Sequence, residues 1–308
     1  MMHPVRALLV YVVAVFSVGP LLAPWLYKLA VWAGPMVPGC GELAQEPFRR
    51  FVHRALLGVA LVGLWPLARG LGLQSWQQVG WVKPACRGRN LLWGFGLGLG
   101  SLLCVGVLAL ACGARRIEVH LGSDKLLGAV MTAGVVSVLE ETLFRGVVFG
   151  VLRQGLDWRL AAGLSSVVYA LVHCFQRPVS PAQVSWFSGF VTLGQMLEGF
   201  VHLDTLLPAV VVLTLAGALL AMVYQHTGTL YGSVGLHAGW IVAIRLYGGL
   251  TEPVPGSAAW FWGGDTLKDG WAAGLALAVL LGLVTLRPGG FVRRESQASS
   301  IQGAGRLN

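Results

Sequence analysis

Eight long stretches of this chain are apolar and almost free of charged residues, and this pattern constrains the fold more than any other feature. The stretches cover residues 7–27, 51–73, 90–114, 126–152, 160–176, 205–225, 228–246 and 270–286. A membrane-spanning helix needs about 20 mostly apolar residues, and only helices or closed barrels satisfy their backbone hydrogen bonds inside lipid. The pattern predicts an all-α, polytopic membrane protein with about eight transmembrane helices.

The composition excludes several other classes of protein. Hydrophobic residues make up 56% of the chain and charged residues 11%, whereas an ordinary soluble domain carries about 25% charged residues. The 22 Lys and Arg exceed the 13 Asp and Glu, which gives a net charge of +9. These basic residues are scattered between the apolar runs, as in loops that flank membrane helices. We therefore predict that the chain contacts a lipid bilayer and binds no nucleic acid.

The predicted spans divide the chain into three parts. Residues 1–124 contain three spans, residues 125–249 contain four, and residues 250–308 contain the last span and a polar tail at 296–308. Segment 178–197 is uncharged, but Pro, Ser, Gly and Gln are spread through it. This composition favours a re-entrant or interfacial element over a ninth span.

Three ionisable residues lie in the middle of the fourth run. Glu140, Glu141 and Arg145 each cost several kcal/mol in the hydrocarbon, roughly +2.5 to +3.5 on insertion scales for a charged residue at a helix centre. Glu141 and Arg145 have the i, i+4 spacing of a helical ion pair, with the acid on the favourable amino-terminal side. Glu140 points about 100° away from Glu141. We therefore expect Glu140 to face a polar group on another helix.

Two histidines in other predicted spans lie at a depth similar to that of Glu140. Glu140 is 13 residues before Arg153, His173 is 14 residues after Arg159, and His237 is 9 residues after Gly228. At 1.5 Å per residue these separations correspond to depths of about 20, 21 and 14 Å. The spacing predicts that one carboxylate and two imidazoles share a polar site inside the helix bundle.

Such a site permits two kinds of hydrolytic chemistry. A Glu beside a His takes a proton from water and returns it to a leaving amine, while a second His stabilises an oxyanion. Alternatively, Glu140, His173 and His237 are plausible ligands of a divalent metal such as zinc, which activates water itself. The chain contains no HExxH sequence, which argues against a zincin-type helix.

The residues around these positions resemble the motifs of a known family. Glu140-Glu141-x-x-x-Arg145 is similar to the EExxxR motif of the CPBP intramembrane proteases, the CAAX-processing and bacteriocin-processing group also called Abi. Tyr169-x-x-x-His173 is similar to the second motif, usually FxxxH, and the segment around His237 is similar to the third, usually HxxxN.

The resemblance implies an intramembrane endopeptidase that cuts a membrane protein or a lipidated peptide, in a multi-pass protein of the bacterial inner membrane. It implies that Glu140 is the general base, His173 its partner in water binding, and His237 the oxyanion stabiliser or a third ligand. Glu141 and Arg145 are then positioning residues. No cofactor is firmly implied, and a divalent metal stays open.

One position departs from the family pattern. Ile241 stands where the family usually has Asn or Asp, and its side chain neither donates nor accepts a hydrogen bond. The sequence therefore leaves three readings of the activity: a weak protease, a protease that uses another donor such as Gln195 or Tyr169, or an inactive immunity or scaffold protein of the same fold. A proton-coupled transporter is a further alternative, which the lack of repeated halves disfavours.

Overall fold

The computed structural model describes residues 4–37, 41–73, 75–120, 122–176, 178–201, 203–286 and 290–292. The polar tail at 296–308 lies outside these residues. The described chain is mostly helical. Its helices are α1 (Pro4–Ala33), α2 (Gly41–Ala44), α3 (Phe48–Gly70), α4 (Arg87–Ala111), α5 (Ser123–Glu141), α6 (Gly150–Leu152), α7 (Trp158–His173), α8 (Ser188–Leu197), α9 (Leu203–Thr227), α10 (Tyr231–Leu250), α11 (Ala259–Trp262) and α12 (Trp271–Leu286).

A helix occupies each of the eight apolar runs, but the helices differ in their fitness to span a membrane. Among the described residues, four are long and apolar enough: Arg6–Ala33, Phe48–Gly70, Arg87–Ala111 and Leu206–Thr227. Helices α7 and α12 have 16 residues each, which is about 24 Å against a hydrocarbon core of about 30 Å. The chain is thus a helical, integral membrane protein, and the number of eight spans stays a prediction.

The all-α prediction is corrected in one place. Strands β1 (Arg115–Ile117) and β2 (Thr251–Pro253) pair antiparallel in a short ribbon that joins the end of α4 to the end of α10. Three residues per strand carry too little pattern to be recognised in a sequence of apolar runs. The ribbon lies at the end of the bundle and does not interrupt a helix.

The fourth predicted span is not one uniform α-helix. After α5 ends at Glu141, the chain continues as a π-helix over Thr142–Phe149 and then as α6. Wider π-turns inside α-helices are rare and often occur at functional sites. This π-helix begins directly after the Glu140-Glu141 pair, so it determines how Arg145 is placed relative to the two carboxylates.

Glycines bring α4 and α10 into backbone contact. A Cβ atom at Gly98 would collide with the carbonyl oxygen of Leu236, and one at Gly235 with that of Leu91. Small residues allow this close approach between membrane helices. Because His237 follows Leu236 directly, the glycine contact fixes the position of His237 along and around the bundle.

Segment 178–197 is only partly helical. Its helix α8 has ten residues, which is too short to span a membrane. Leu193 and Met196 pack in one apolar cluster with side chains of α1 and α3, and a Cβ at Gly189 would collide with the carbonyl oxygen of Pro20 in α1. The segment is therefore a short helix held against the amino-terminal helices.

Candidate active site

Three helices bring Glu140, His173 and His237 together. Glu140 is the penultimate residue of α5, His173 ends α7, and His237 lies in the first half of α10. The Oε2 atom of Glu140 is 3.2 Å from Nε2 of His173 and 3.8 Å from Nε2 of His237. The convergence expected from the counted depths is therefore confirmed. The catalytic roles of the three residues stay predictions.

Hydrogen bonds at Nδ1 fix the tautomer of both imidazoles. Nδ1 of His173 lies 2.8 Å from the carbonyl oxygen of Tyr169, and a carbonyl only accepts, so Nδ1 carries the hydrogen. Nδ1 of His237 lies 2.9 Å from Oε1 of Glu141, which accepts in the same way when ionised. In the neutral form, each imidazole therefore directs an Nε2 lone pair towards the site.

Glu140 Oε2 is consequently an acceptor that faces two further acceptors. This oxygen atom is buried and makes no hydrogen bond of good geometry within the described part of the chain. Yet the whole Glu140 side chain is 21% exposed and that of His173 is 28% exposed. A buried acceptor without a donor is costly. The arrangement thus fits a molecule such as water, which supplies two hydrogens to Glu140 and His173.

Glu141 is the centre of a second, fully buried network. Its Oε1 atom accepts from Nη1 of Arg145 at 2.9 Å and lies at the same distance from His237 Nδ1. Arg145 Nη2 also donates to the carbonyl oxygen of Gly217 in α9 at 3.3 Å. The predicted Glu141–Arg145 pair is confirmed. The contact between Glu141 and His237 was not predicted, because spacing along one helix carries no information about a third helix.

Aromatic rings separate the ion pair from the exposed part of the site. The Tyr169 ring lies 4.2 Å from the His173 ring and 4.6 Å from Cζ of Arg145, which forms a cation–π contact. Phe144 packs edge-on against Tyr169, with ring centroids 5.1 Å apart. Tyr169 is only 3% exposed. Its ring therefore serves as a wall that orients His173 and covers Arg145.

Lys268 is a residue of the site that the sequence did not indicate. It lies in the loop between α11 and α12, and its Nζ atom donates to the carbonyl oxygen of His173 at 3.1 Å. A cation at a helix carboxyl terminus satisfies a free carbonyl and interacts favourably with the helix dipole. The neighbouring Leu267 has φ of 59° and is buried, so the loop is firmly placed.

A second unexpected contact holds the π-helix. Nε1 of Trp81, in the connection between α3 and α4, donates to Oγ1 of Thr142 at 3.0 Å. Gly146 approaches Val79 so closely that a Cβ would contact the Val79 carbonyl oxygen. The connection between α3 and α4 is therefore packed against the helix that carries the carboxylates.

Ile241 lies one helical turn beyond His237 on α10 and is partly buried. It contributes only apolar surface next to the histidine, as expected from its side chain. Of the alternative donors considered, Tyr169 lies in the site, whereas Gln195 belongs to α8, which packs against α1 and α3.

The same side chains are the candidates for holding a metal ion. Within the described ranges, no group of three or more His, Cys, Asp or Glu side chains is arranged so that it could hold a metal. Glu140 Oε2 lies 3.2 Å from Nε2 of His173 and 3.8 Å from Nε2 of His237, and a divalent metal held by these three residues stays a prediction.

The apolar helices enclose a carboxylate, two imidazoles and a buried ion pair. These features define a polytopic membrane protein with an ionisable centre. Residues 122–243 match the family described as "Rce1-like: Type II CAAX prenyl endopeptidase Rce1-like". This segment is therefore similar to the Rce1-like family, and the resemblance to the CPBP intramembrane proteases is confirmed over these residues. No curated protein and no solved structure matches the chain.

Proposed function

We propose that the protein is an intramembrane endopeptidase that hydrolyses a peptide bond with a water molecule activated by Glu140. One observation carries the proposal: Glu140 Oε2 lies 3.2 and 3.8 Å from the Nε2 atoms of two histidines on different helices. The match of residues 122–243 to the Rce1-like family supports the same reaction class. The substrate is a membrane protein or a lipidated peptide, and the protein acts in the bacterial inner membrane.

The proposed reaction begins with water between Glu140 and His173. Water donates one hydrogen to each residue, which directs an oxygen lone pair towards the scissile carbonyl carbon. As the new C–O bond forms, a proton passes from water to Glu140. The carbonyl oxygen becomes an oxyanion beside Nε2 of His237, which donates a hydrogen bond to it when the ring carries hydrogens on both nitrogens. Glu140 then delivers the proton to the leaving nitrogen, and the C–N bond breaks.

The buried network supports the electrostatic part of this mechanism. Glu141 holds His237 through Nδ1 and so orients its Nε2 atom towards Glu140. Arg145 balances the charge of Glu141 within the same network. These two residues do not touch the reacting atoms in the proposal, so they are positioning residues.

A second candidate function follows from Ile241. Asn or Asp at this position would supply a second polar group near His237, and Ile supplies none. By comparison with other oxyanion sites, the loss of one donor costs about 10²–10³ in rate. The alternative is therefore a membrane immunity or scaffold protein of the same fold, with weak or no peptidase activity.

The experiment that tests the proposal compares three proteins in lipid nanodiscs with a library of fluorogenic membrane peptides. Wild type and Glu198→Gln, which makes the same change at an exposed residue outside the site, are expected to cleave the same peptides. Glu140→Gln is expected to lose cleavage while its thermal unfolding and helical content stay unchanged. Normal cleavage by Glu140→Gln would contradict the role of Glu140, and no cleavage by wild type under any condition would favour the scaffold function.

A further inference from the structure

One end of the helix bundle is almost purely basic. Residues of three connections line a polar depression at this end: Ser75, Gln77 and Gln78 from the first, Arg153 from the second, and Gly228 from the third. The three connections therefore lie together. We call this end of the bundle the basic end. Its cations are Arg6, Arg69, Lys83, Arg87, Arg89, Arg153 and Arg159. Among the residues that the structure describes, Asp157 is the one acid that accompanies them.

The opposite end has a different charge pattern. There, several arginines are paired with carboxylates: Arg50 with Glu46, Arg115 with Asp265, and Arg116 with Glu252. None of the ion pairs within the described residues includes Arg69. The described residues therefore give the basic end a positive field, which suits the anionic headgroups of a bilayer.

An apolar groove of about 830 Å³ opens at the basic end. One wall is the last turns of α3, with Leu61, Leu64 and Trp65, and a second is the connection that includes Trp76. The floor is formed by α5 and the π-helix that follows it, where Leu139 and Thr142 line the groove. A volume of this size is in the range of small-molecule binding sites, about 300–1,000 Å³.

The mouth of the groove combines aromatic rings with one cation. Arg69 lies in the last turn of α3, and its Cζ atom is 4.1 Å from the centre of the Trp65 ring. Trp65 is 64% exposed and Trp76 is 72% exposed. Exposed tryptophans and an arginine at a helix end are typical of the boundary between hydrocarbon and headgroups. The cation is thus placed where a lipid phosphate lies, and the apolar groove where an acyl chain lies.

We propose that this groove binds one anionic phospholipid of the bilayer. Its phosphate contacts Arg69, and one acyl chain lies between α3, the connection around Trp76, and the helix that carries Glu140. The charge of Arg69 selects an anionic headgroup, and the apolar walls select a lipid over a free phosphate ion. Because the bound acyl chain contacts Leu139 and Thr142, the lipid stabilises the end of α5 and the start of the π-helix, next to the two carboxylates. The proposal does not depend on peptidase activity.

The test is to count and rank bound lipids by native mass spectrometry of the full chain released from detergent. Phosphatidylglycerol and phosphatidylcholine with the same acyl chains are compared on wild type, Arg69→Gln and Arg89→Gln. Arg89 is an exposed arginine of the basic end outside the groove, so its variant has the same net charge as Arg69→Gln. One phosphatidylglycerol is expected to bind wild type more tightly than phosphatidylcholine does. Arg69→Gln weakens that binding about fivefold, as expected from the loss of one basic group near a lipid surface.

Two further measurements identify the ligand. Glycerophosphate, which has the headgroup but no acyl chains, is expected to compete poorly with phosphatidylglycerol. Ala68→Phe, which fills the groove and keeps Arg69, is expected to weaken phosphatidylglycerol binding. Equal losses in Arg69→Gln and Arg89→Gln would show diffuse attraction to the basic end and overturn the proposal. Equal binding of phosphatidylcholine, full competition by glycerophosphate, or unchanged binding by both groove variants would overturn it as well.

Discussion

The polar centre has two halves that differ in exposure and in hydrogen bonding. In the inner half, Glu141, Arg145 and His237 are at most 5% exposed, and each makes a hydrogen bond to another helix or to its ion-pair partner. In the outer half, Glu140 and His173 are about a quarter exposed, and Glu140 Oε2, like Glu141 Oε2, makes no hydrogen bond within the described part of the chain. The two adjacent glutamates are thus alike in chemistry and different in surroundings. The inner half therefore maintains the geometry of the centre, and the outer half is partly exposed to a reactant.

The largest expected effect is on the inner half. Arg145→Met leaves the Glu141 carboxylate buried without its cation, and breaking such a pair costs about 3–5 kcal/mol. We expect a large loss of thermal stability and of activity together, measured by unfolding in detergent. Glu140→Gln is the control in the outer half and is expected to change stability far less. Equal stability of the two variants would remove the distinction between the halves.

The next effect concerns the chemistry of the outer half. His173→Gln replaces the imidazole beside the proposed water with an amide that cannot take up a proton, and general acid–base groups contribute about 10²–10⁴ to rate. We expect the cleavage rate of a peptide substrate to fall by this factor while the unfolding temperature stays within the error of wild type. A variant that loses stability in proportion to activity would place His173 in the structural half instead.

Ile241→Asn tests the proposed oxyanion site next to His237. A donor added one turn from His237 is expected to raise the cleavage rate by about 10², the lower value for one oxyanion donor. Ile241→Leu, measured in parallel, keeps an apolar side chain and is expected to leave the rate unchanged. If both variants and the wild type show no cleavage, the scaffold function is favoured.

Lys268→Met has a smaller expected effect because it acts through the backbone of His173. The loss of a cation at the carboxyl terminus of α7 costs about 0.3–1 kcal/mol. We expect a modest fall in kcat with little change in KM, and rescue by Lys268→Arg, which restores a donor and the charge. A change confined to KM would indicate that Lys268 contacts the substrate.

The smallest effect is expected at the surface, where ion pairs are exposed. Hydrogen bonds from His120 and Arg116 lower the pKa of Glu252 from its ordinary value of 4.5. A carboxyl group with a lowered pKa stabilises the folded state above that ordinary value, and the contribution is lost as the pH falls through the lowered value. The protection factors of amides in β1 and β2, which correct for the intrinsic pH dependence of exchange, are therefore expected to fall at acidic pH. Glu252→Gln removes this dependence, and a wild-type ribbon with equal protection factors at both pH values contradicts it.

Counting residues from the loops was enough to predict which side chains share a depth. Glu140, His173 and His237 were grouped in this way, and the Glu141–Arg145 pair followed from its spacing along one helix. Depth is only one coordinate, however, and the direction in which a helix face points depends on packing. The contact of Glu141 with His237 is fixed by the glycine interface between α4 and α10. The contact of Lys268 with His173 spans 95 positions, which no local pattern reveals.

The π-helix after Glu141 has a consequence for how the chain tolerates change. A π-turn holds one residue more than an α-turn for each hydrogen bond, so Thr142–Phe149 stores extra length within a continuous helix. Deleting one residue there allows the segment to tighten into an α-helix without lengthening a loop. The tightening would rotate Arg145 against the carboxylates by up to about 100°. The segment therefore sets the rotation of α6 relative to α5, so that the two ends of one long helix face different partners.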